Sequence, residues 1–177
     1  DAALREDLGS GLDATTVATI PVDQIAVAQF NARKSGVVAG IFAAQAVLEI
    51  AGNSAITFTK QISEGSKVQA GDLIFEATGR VADLLFAERT ALNFLSRLSG
   101  VATMSSIWVE AVKGTGCIVR DTRKTTPAWR EIEKFAVRMG GATNHRMNLS
   151  DAALIKDNHI AATGSISDAV KDVRNKF

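Results

Sequence analysis

"CIVRDTRKTTPAWREIEKFAVRMGG", residues 117–141, is the stretch on which the fold turns. "CIVRDT" reads as a short buried strand and "DTRKTT" as a polar loop. From Pro127 an amphipathic helix then runs to a glycine stop. The same order returns downstream, with "ALIKDNHI" (153–160) strand-like and "SISDAVKDVRNKF" (165–177) helical through Ile166, Ala169, Val170 and Val173. Strand, loop, helix, repeated, is the alternation of a parallel α/β sheet or barrel, in which ligands sit at the carboxyl ends of the strands. Both "DTRKTT" and "KDNH" follow directly on strand candidates, where such a site would lie.

Upstream the pattern is mixed. Residues 1–20 read as an acidic helical turn and a loop, "GSGLDATT". "IAVAQFNARKSGVVAG" (25–40) is valine-rich and strand-like, and "IFAAQAVLEI" (41–50) is a short helix. "AITFTKQI" and "DLIFEATG" are two further strands, joined by a turn-rich link with Gly65 and Gly71. From Val81 to Lys113 the spacing is helical. Leu85, Leu92 and Leu95 fall on one face and Arg89, Asn93 and Arg97 on another, with Gly100 expected to break the segment in two.

The bulk composition excludes several classes of function. Apolar residues make up 46% and charged ones 22%, which suits a soluble globular chain long enough to bury a core. A net charge of +1 and the absence of tyrosine argue against a nucleic-acid surface. Cys117 is the single cysteine, so neither an internal disulfide nor a thiolate metal cluster is expected. That fits a reducing cytoplasmic setting, and no run reaches membrane-spanning length. P-loop, dinucleotide and nucleophile-elbow signatures are missing. The two histidines, His145 and His159, lack zinc-ligand spacing. Both ends look cut: the first residue is Asp1, and the last helix stops without a cap.

The chemistry lies in the cations. Arg123 and Lys124 stand between Thr122, Thr125 and Thr126 on a loop that faces a helix N-terminus, a corner suited to a carboxylate or phosphate. "TNHRMN" adds His145 and Arg146, and "LIKDNH" adds Lys156, placed after Leu154 and Ile155 at an expected strand end. Taken singly, each is more readily a solvated surface cation, a snorkelling lysine or a hydrogen-bonded structural histidine. Three consecutive loops with cations at one topological position point instead to an anion pocket.

"AERTALNFLSRLSGVAT", "DTRKTTP", "NHRMNLSD" and "LIKDNHI", in this order, resemble the quinolinate phosphoribosyltransferase family nearly end to end. The resemblance implies an N-terminal α+β domain (1–98) followed by the first part of an incomplete α/β barrel (99–177). It implies transfer of phosphoribose from phosphoribosyl pyrophosphate to quinolinate, with decarboxylation to nicotinate mononucleotide. By motif, Thr122, Arg123, Lys124, His145, Arg146 and Lys156 would line the pocket, and Arg89 would reach the neighbouring site of a homodimer. No residue is assigned a catalytic role. Magnesium would accompany the phosphoribosyl donor, with no ligands in this chain.

Two departures from the family pattern stand out. "GSGLDATT" differs from the usual first loop, and Ala128-Trp129 replaces the usual Gly-Leu; both are expected to be tolerated. The family's later strands, which carry a Glu, an Asp and phosphate-binding glycine loops, would lie beyond Phe177, so the chain alone is expected to be inactive. The alternatives are a non-catalytic paralogue that binds anions or dimerises, and a relative from molybdenum-transport operons that shares the TRKT and HR blocks.

Overall fold

The structure is a computed structural model that describes residues 1–177. The leading half is built on a three-stranded antiparallel sheet. Strand β1 (Ile25–Asn31) pairs along its length with β5 (Leu73–Arg80), and β3 (Thr57–Thr59) flanks β5 on the other side. A second ladder joins β2 (Gly36–Val37) to β4 (Lys67–Val68). Helices α1 (Ala2–Leu8), α2 (Ala14–Thr19) and α3 (Ile41–Ala51) complete this half. Stacked Phe30 and Phe75 lie at its centre, 4.3 Å apart, with Ile41, Leu48, Ala87 and Ala91 buried around them. Burying such side chains is worth roughly 1.5–3 kcal/mol each relative to leaving them exposed.

One helix connects the halves. Helix α4 runs unbroken from Val81 to Ala111, so the expected break at Gly100 does not occur. A helical glycine costs only about 1 kcal/mol relative to alanine, and the buried side chains of Leu98 and Ala102 on either side outweigh that. The buried stripe runs Leu84, Ala87, Ala91, Leu95, Leu98, Ala102, a 3–4 spacing. Leu85, grouped by spacing with Leu92 and Leu95, is exposed and lines a cleft. The "GSGLDATT" loop also differs from expectation: its end is α2, capped by Asp13, which accepts the Thr16 N–H at 3.1 Å and the Thr16 hydroxyl at 2.5 Å.

Beyond α4 come α5 (Arg130–Met139), α6 (Asp157–Thr163) and α7 (Ile166–Lys176). Helix α5 packs on α4 through Ala136 and Ala102. Gly140 touches α4 so closely that a Cβ there would meet the Ala102 carbonyl. The two expected strands of this half do not form as drawn. "CIVRDT" makes a single parallel bridge, Arg120 to Thr143, and Ile118 is 72% exposed. "ALIKDNHI" is irregular to Lys156 and then turns into α6. A parallel strand is satisfied only between neighbours, and Arg120 finds just one.

Ala128 explains one of the two departures. Its φ is +64°, a left-handed conformation natural to glycine, and the next residue, Trp129, stacks on Phe94 of α4 with ring centroids 4.7 Å apart. The stack offsets part of the backbone strain, which is roughly 1–2 kcal/mol for an L-residue. Ala128→Gly is therefore expected to raise thermal stability by about 1 kcal/mol, or about 2–4 °C in Tm, as read by a melt. An unchanged or lower Tm would show that the strain is not stored there.

Candidate functional site

Two loops carry most of the expected site residues, and a single carboxylate ties them together. Asp121 ends the bridge segment and heads the loop with Thr122, Arg123 and Lys124. Its Oδ1 accepts the His145 N–H at 2.7 Å and the Lys134 ammonium at 2.6 Å, while its Oδ2 accepts from the Asn144 amide at 2.7 Å. Lys134, on α5, has no solvent exposure and donates a second bond to the His145 carbonyl at 2.8 Å. "DTRKTT" and "NHR" are thereby fastened to each other and to α5.

A second carboxylate holds the other end of the first loop. Glu133 accepts from the Thr126 N–H (3.1 Å), the Thr126 hydroxyl (2.8 Å) and the Arg97 guanidinium of α4 (2.8 Å). Burial raises its pKa, but the bonds from Arg97 and Thr126 outweigh that and hold it below the ordinary glutamate value. Arg97 thus turns away from Arg89 and Asn93, with which the sequence grouped it, towards α5.

Within this frame the expected residues divide. The Lys124 N–H donates to the Thr122 hydroxyl at 3.0 Å, shaping the turn around Arg123. The Arg146 N–H donates to His145 Nδ1 at 2.7 Å, and Arg146 Nη1 to the Ala152 carbonyl at 2.6 Å. His145 Nδ1 is thus occupied as an acceptor within its own loop. Lys156 is the N-cap of α6, and its N–H donates to His159 Nδ1 at 3.0 Å, which makes His159 part of the scaffold. The Nε–H groups of Arg123 and Arg146 are buried without a partner. The chain's five ion pairs involve none of Arg89, Arg123, Lys124, Arg146 and Lys156.

Arg89 lies elsewhere. It faces a cleft of about 920 Å³ between α4 and the β1–β2 segment, where Arg33, Lys34, Glu88 and Asn93 also border the opening. No other expected site residue lines that cleft. Sequence reading missed Asp121, Glu133 and Lys134 as organisers of the site. Asp121 carried a signal, a charge at the end of the expected buried strand "CIVRDT"; Glu133 and Lys134 fall off the apolar stripe of the expected helix and carried none.

The acidic groups of this corner do not form a magnesium site. No three His, Cys, Asp or Glu side chains converge anywhere, and Asp121 and Glu133 are already neutralised by Lys134 and Arg97. What the corner can do is bind an anion. No helix is long and apolar enough to cross a membrane.

An antiparallel α+β half joined by one long helix to a half of helices and cation-bearing loops defines a protein of mixed α/β type. The quinolinate phosphoribosyl transferase N-terminal domain profile matches residues 13–99, and that of the C-terminal domain matches residues 101–177. The nicotinate-nucleotide pyrophosphorylase (carboxylating) of Mycobacterium leprae is 45% identical over 97% of the chain, and the chain spans 61% of that relative's length. The crystal structure of NadC from Streptococcus pyogenes superposes with a TM-score of 0.93 at 45% identity, covering 99% of this chain and 63% of that one. The nicotinate-nucleotide pyrophosphorylase of Francisella tularensis follows at 0.91 and 38%, covering 98% of this chain and 61% of that one. The chain belongs to the quinolinate phosphoribosyltransferase family and spans about half to three-fifths of the length of the relatives it matches.

The Glu133 latch has a pH signature. Its depressed folded pKa means that the unfolded chain binds the proton more tightly. The stability it contributes is thus present above the ordinary value of 4.5 and lost as pH falls through the lower, folded value. Glu133→Gln is expected to melt lower than wild type at neutral pH and to lose less stability between about pH 5 and pH 3. Parallel melting curves for the two proteins across that range would contradict the assignment.

Proposed function

We propose that this chain provides the acceptor half of a phosphoribosyl transfer. Quinolinate is held by Arg123, Lys124, His145, Arg146 and Lys156, with Thr122 shaping the loop, and takes phosphoribose from phosphoribosyl pyrophosphate. The observation that carries this reading is the pair of buried, unpartnered guanidinium N–H groups of Arg123 and Arg146 on two loops locked to one carboxylate. A planar dicarboxylate matches such a pair, because guanidinium forks take carboxylates with defined direction. The family's enzymatic identity lends the reading its reaction.

In that reaction the bond from the ribose carbon to pyrophosphate breaks and the acceptor's ring nitrogen bonds to that carbon. The carbon–carbon bond to the adjacent carboxylate then breaks, its electron pair drawn towards the positive ring nitrogen, and CO2 leaves as a solvent proton replaces it. The products are nicotinate mononucleotide, pyrophosphate and CO2. The cations here bind and orient the acceptor, while any magnesium enters with the donor's own pyrophosphate. No side chain of this chain is required as a covalent nucleophile. Arg89, which lines a different cleft from the other expected site residues, is assigned to the neighbouring site of a homodimer in the cytoplasm. The chain alone is expected to bind acceptor without turning over.

Calorimetric titration with quinolinate, and with nicotinate as the monocarboxylate control, tests this. Selective quinolinate binding is expected, with Arg123→Ala or Arg146→Ala weakening it by about tenfold or more, the worth of one charge-assisted hydrogen bond. A folded chain that binds neither ligand would sink the acceptor reading and favour a non-catalytic, anion-binding or dimerising paralogue.

A further inference from the structure

We infer that the buried Lys134–Asp121–Asn144 network is a positioning device that sets the spacing between Arg123 and Arg146, and through it the preference for a dicarboxylate over a monocarboxylate. The inference rests on the acceptor reading above and assigns the selectivity to residues that touch no ligand.

Lys134 has no solvent exposure, yet its neighbours on α5, Ala136 and Glu133, are ordinary core and latch positions. An apolar pair of similar volume in place of Lys134 and Asp121 would avoid desolvating two charges, so stability alone does not call for an ion pair there. The two bonds of Lys134 do something a methionine cannot. One goes to Asp121 Oδ1 at 2.6 Å and the other to the His145 carbonyl at 2.8 Å, while the same Oδ1 takes the His145 N–H at 2.7 Å. Both peptide groups of His145 are therefore fixed. Asn144 locks the other side: its amide nitrogen donates to Asp121 Oδ2 and, at 2.9 Å, to the Lys134 carbonyl.

The consequence passes along the chain in both directions. Arg146 follows His145 directly, its N–H held by His145 Nδ1, and Arg123 follows Asp121 by two residues. The unpartnered Nε–H groups of the two arginines thus spring from opposite ends of one buried network. A ligand with one carboxylate engages one arginine and is indifferent to their spacing. A ligand with two carboxylates at a fixed separation reads that spacing directly. Pre-organisation of this kind appears as selectivity rather than as bulk affinity.

The test compares wild type with Lys134→Met and Asn144→Ser, each titrated with quinolinate and with nicotinate and each melted. Lys134→Met removes the ammonium at nearly constant volume. Asn144→Ser spares the buried ion pair and acts at a half-buried site, so it remains informative if Lys134→Met fails to fold. Folded variants are expected to lose quinolinate affinity by about tenfold while nicotinate affinity moves by less than about threefold, collapsing the ratio. A purely structural role would lower Tm and leave the ratio at its wild-type value, and that result in either folded variant overturns the inference. A wild-type chain that does not distinguish the two ligands defeats the acceptor reading itself, and this inference with it.

Discussion

Asp121 is the residue on which the second half of the molecule depends. A single carboxylate that accepts from an ammonium, a backbone N–H and a side-chain amide stands in for the sheet that "CIVRDT" does not form here. A strand with one bridge cannot hold a loop in register, whereas a charge-assisted bond to a fully buried lysine can, because no water competes for it. Removing either partner would leave an uncompensated buried charge, a change that costs about 3–5 kcal/mol. The loops that bear the cations are therefore ordered by electrostatics from below rather than by strand pairing from the sides.

Helix α4 carries that order back to the first half. One stripe of it closes the sheet core around Phe75, and its continuation buries Leu98 and Ala102 against Ala136 of α5. Arg97 lies between the two stretches and reaches Glu133, so the helix touches the site with one residue while packing with its neighbours. A break at Gly100 would have uncoupled the two. An unbroken helix makes them one lever, in which the stacking of Trp129 on Phe94 and the close approach of Gly140 both contribute to the angle of α5.

Much of the first half was legible because its signals are local. β1, β5 and α3 form where valine-rich alternation and alanine-leucine content placed them. The core face of α4 was only half legible: the choice between Leu84 and Leu85 depends on the angle at which the sheet meets the helix, and that angle is a tertiary quantity. The cationic loops were legible as loops, since threonine, proline and adjacent charges do not fit a core. Lys134 was not legible as a site organiser, because in a helical wheel it reads as a polar-face lysine. Only the fold reveals that this face looks inward, towards Asp121. Ala128 falls between these cases: its departure from glycine could be read, but its positive φ and the compensating stack of Trp129 could not.

Two acids of the second half are set apart from the rest. Asp121 and Glu133, both nearly buried, are spent on Lys134, which is fully buried, and on Arg97, which reaches in from an exposed face of α4. None of Arg123, Lys124, Arg146 and Lys156 has such a carboxylate partner. Arrangement by chance on a chain of net charge +1 would pair exposed cations with exposed acids, as Lys113 does with Glu110. Here Asp121 and Glu133 are turned inward to fix the frame, and the Nε–H groups of Arg123 and Arg146 are left buried without a partner. A buried N–H without a partner is costly to maintain, and an anion that reached both groups would recover that cost, which is the electrostatic ground for the proposed acceptor site.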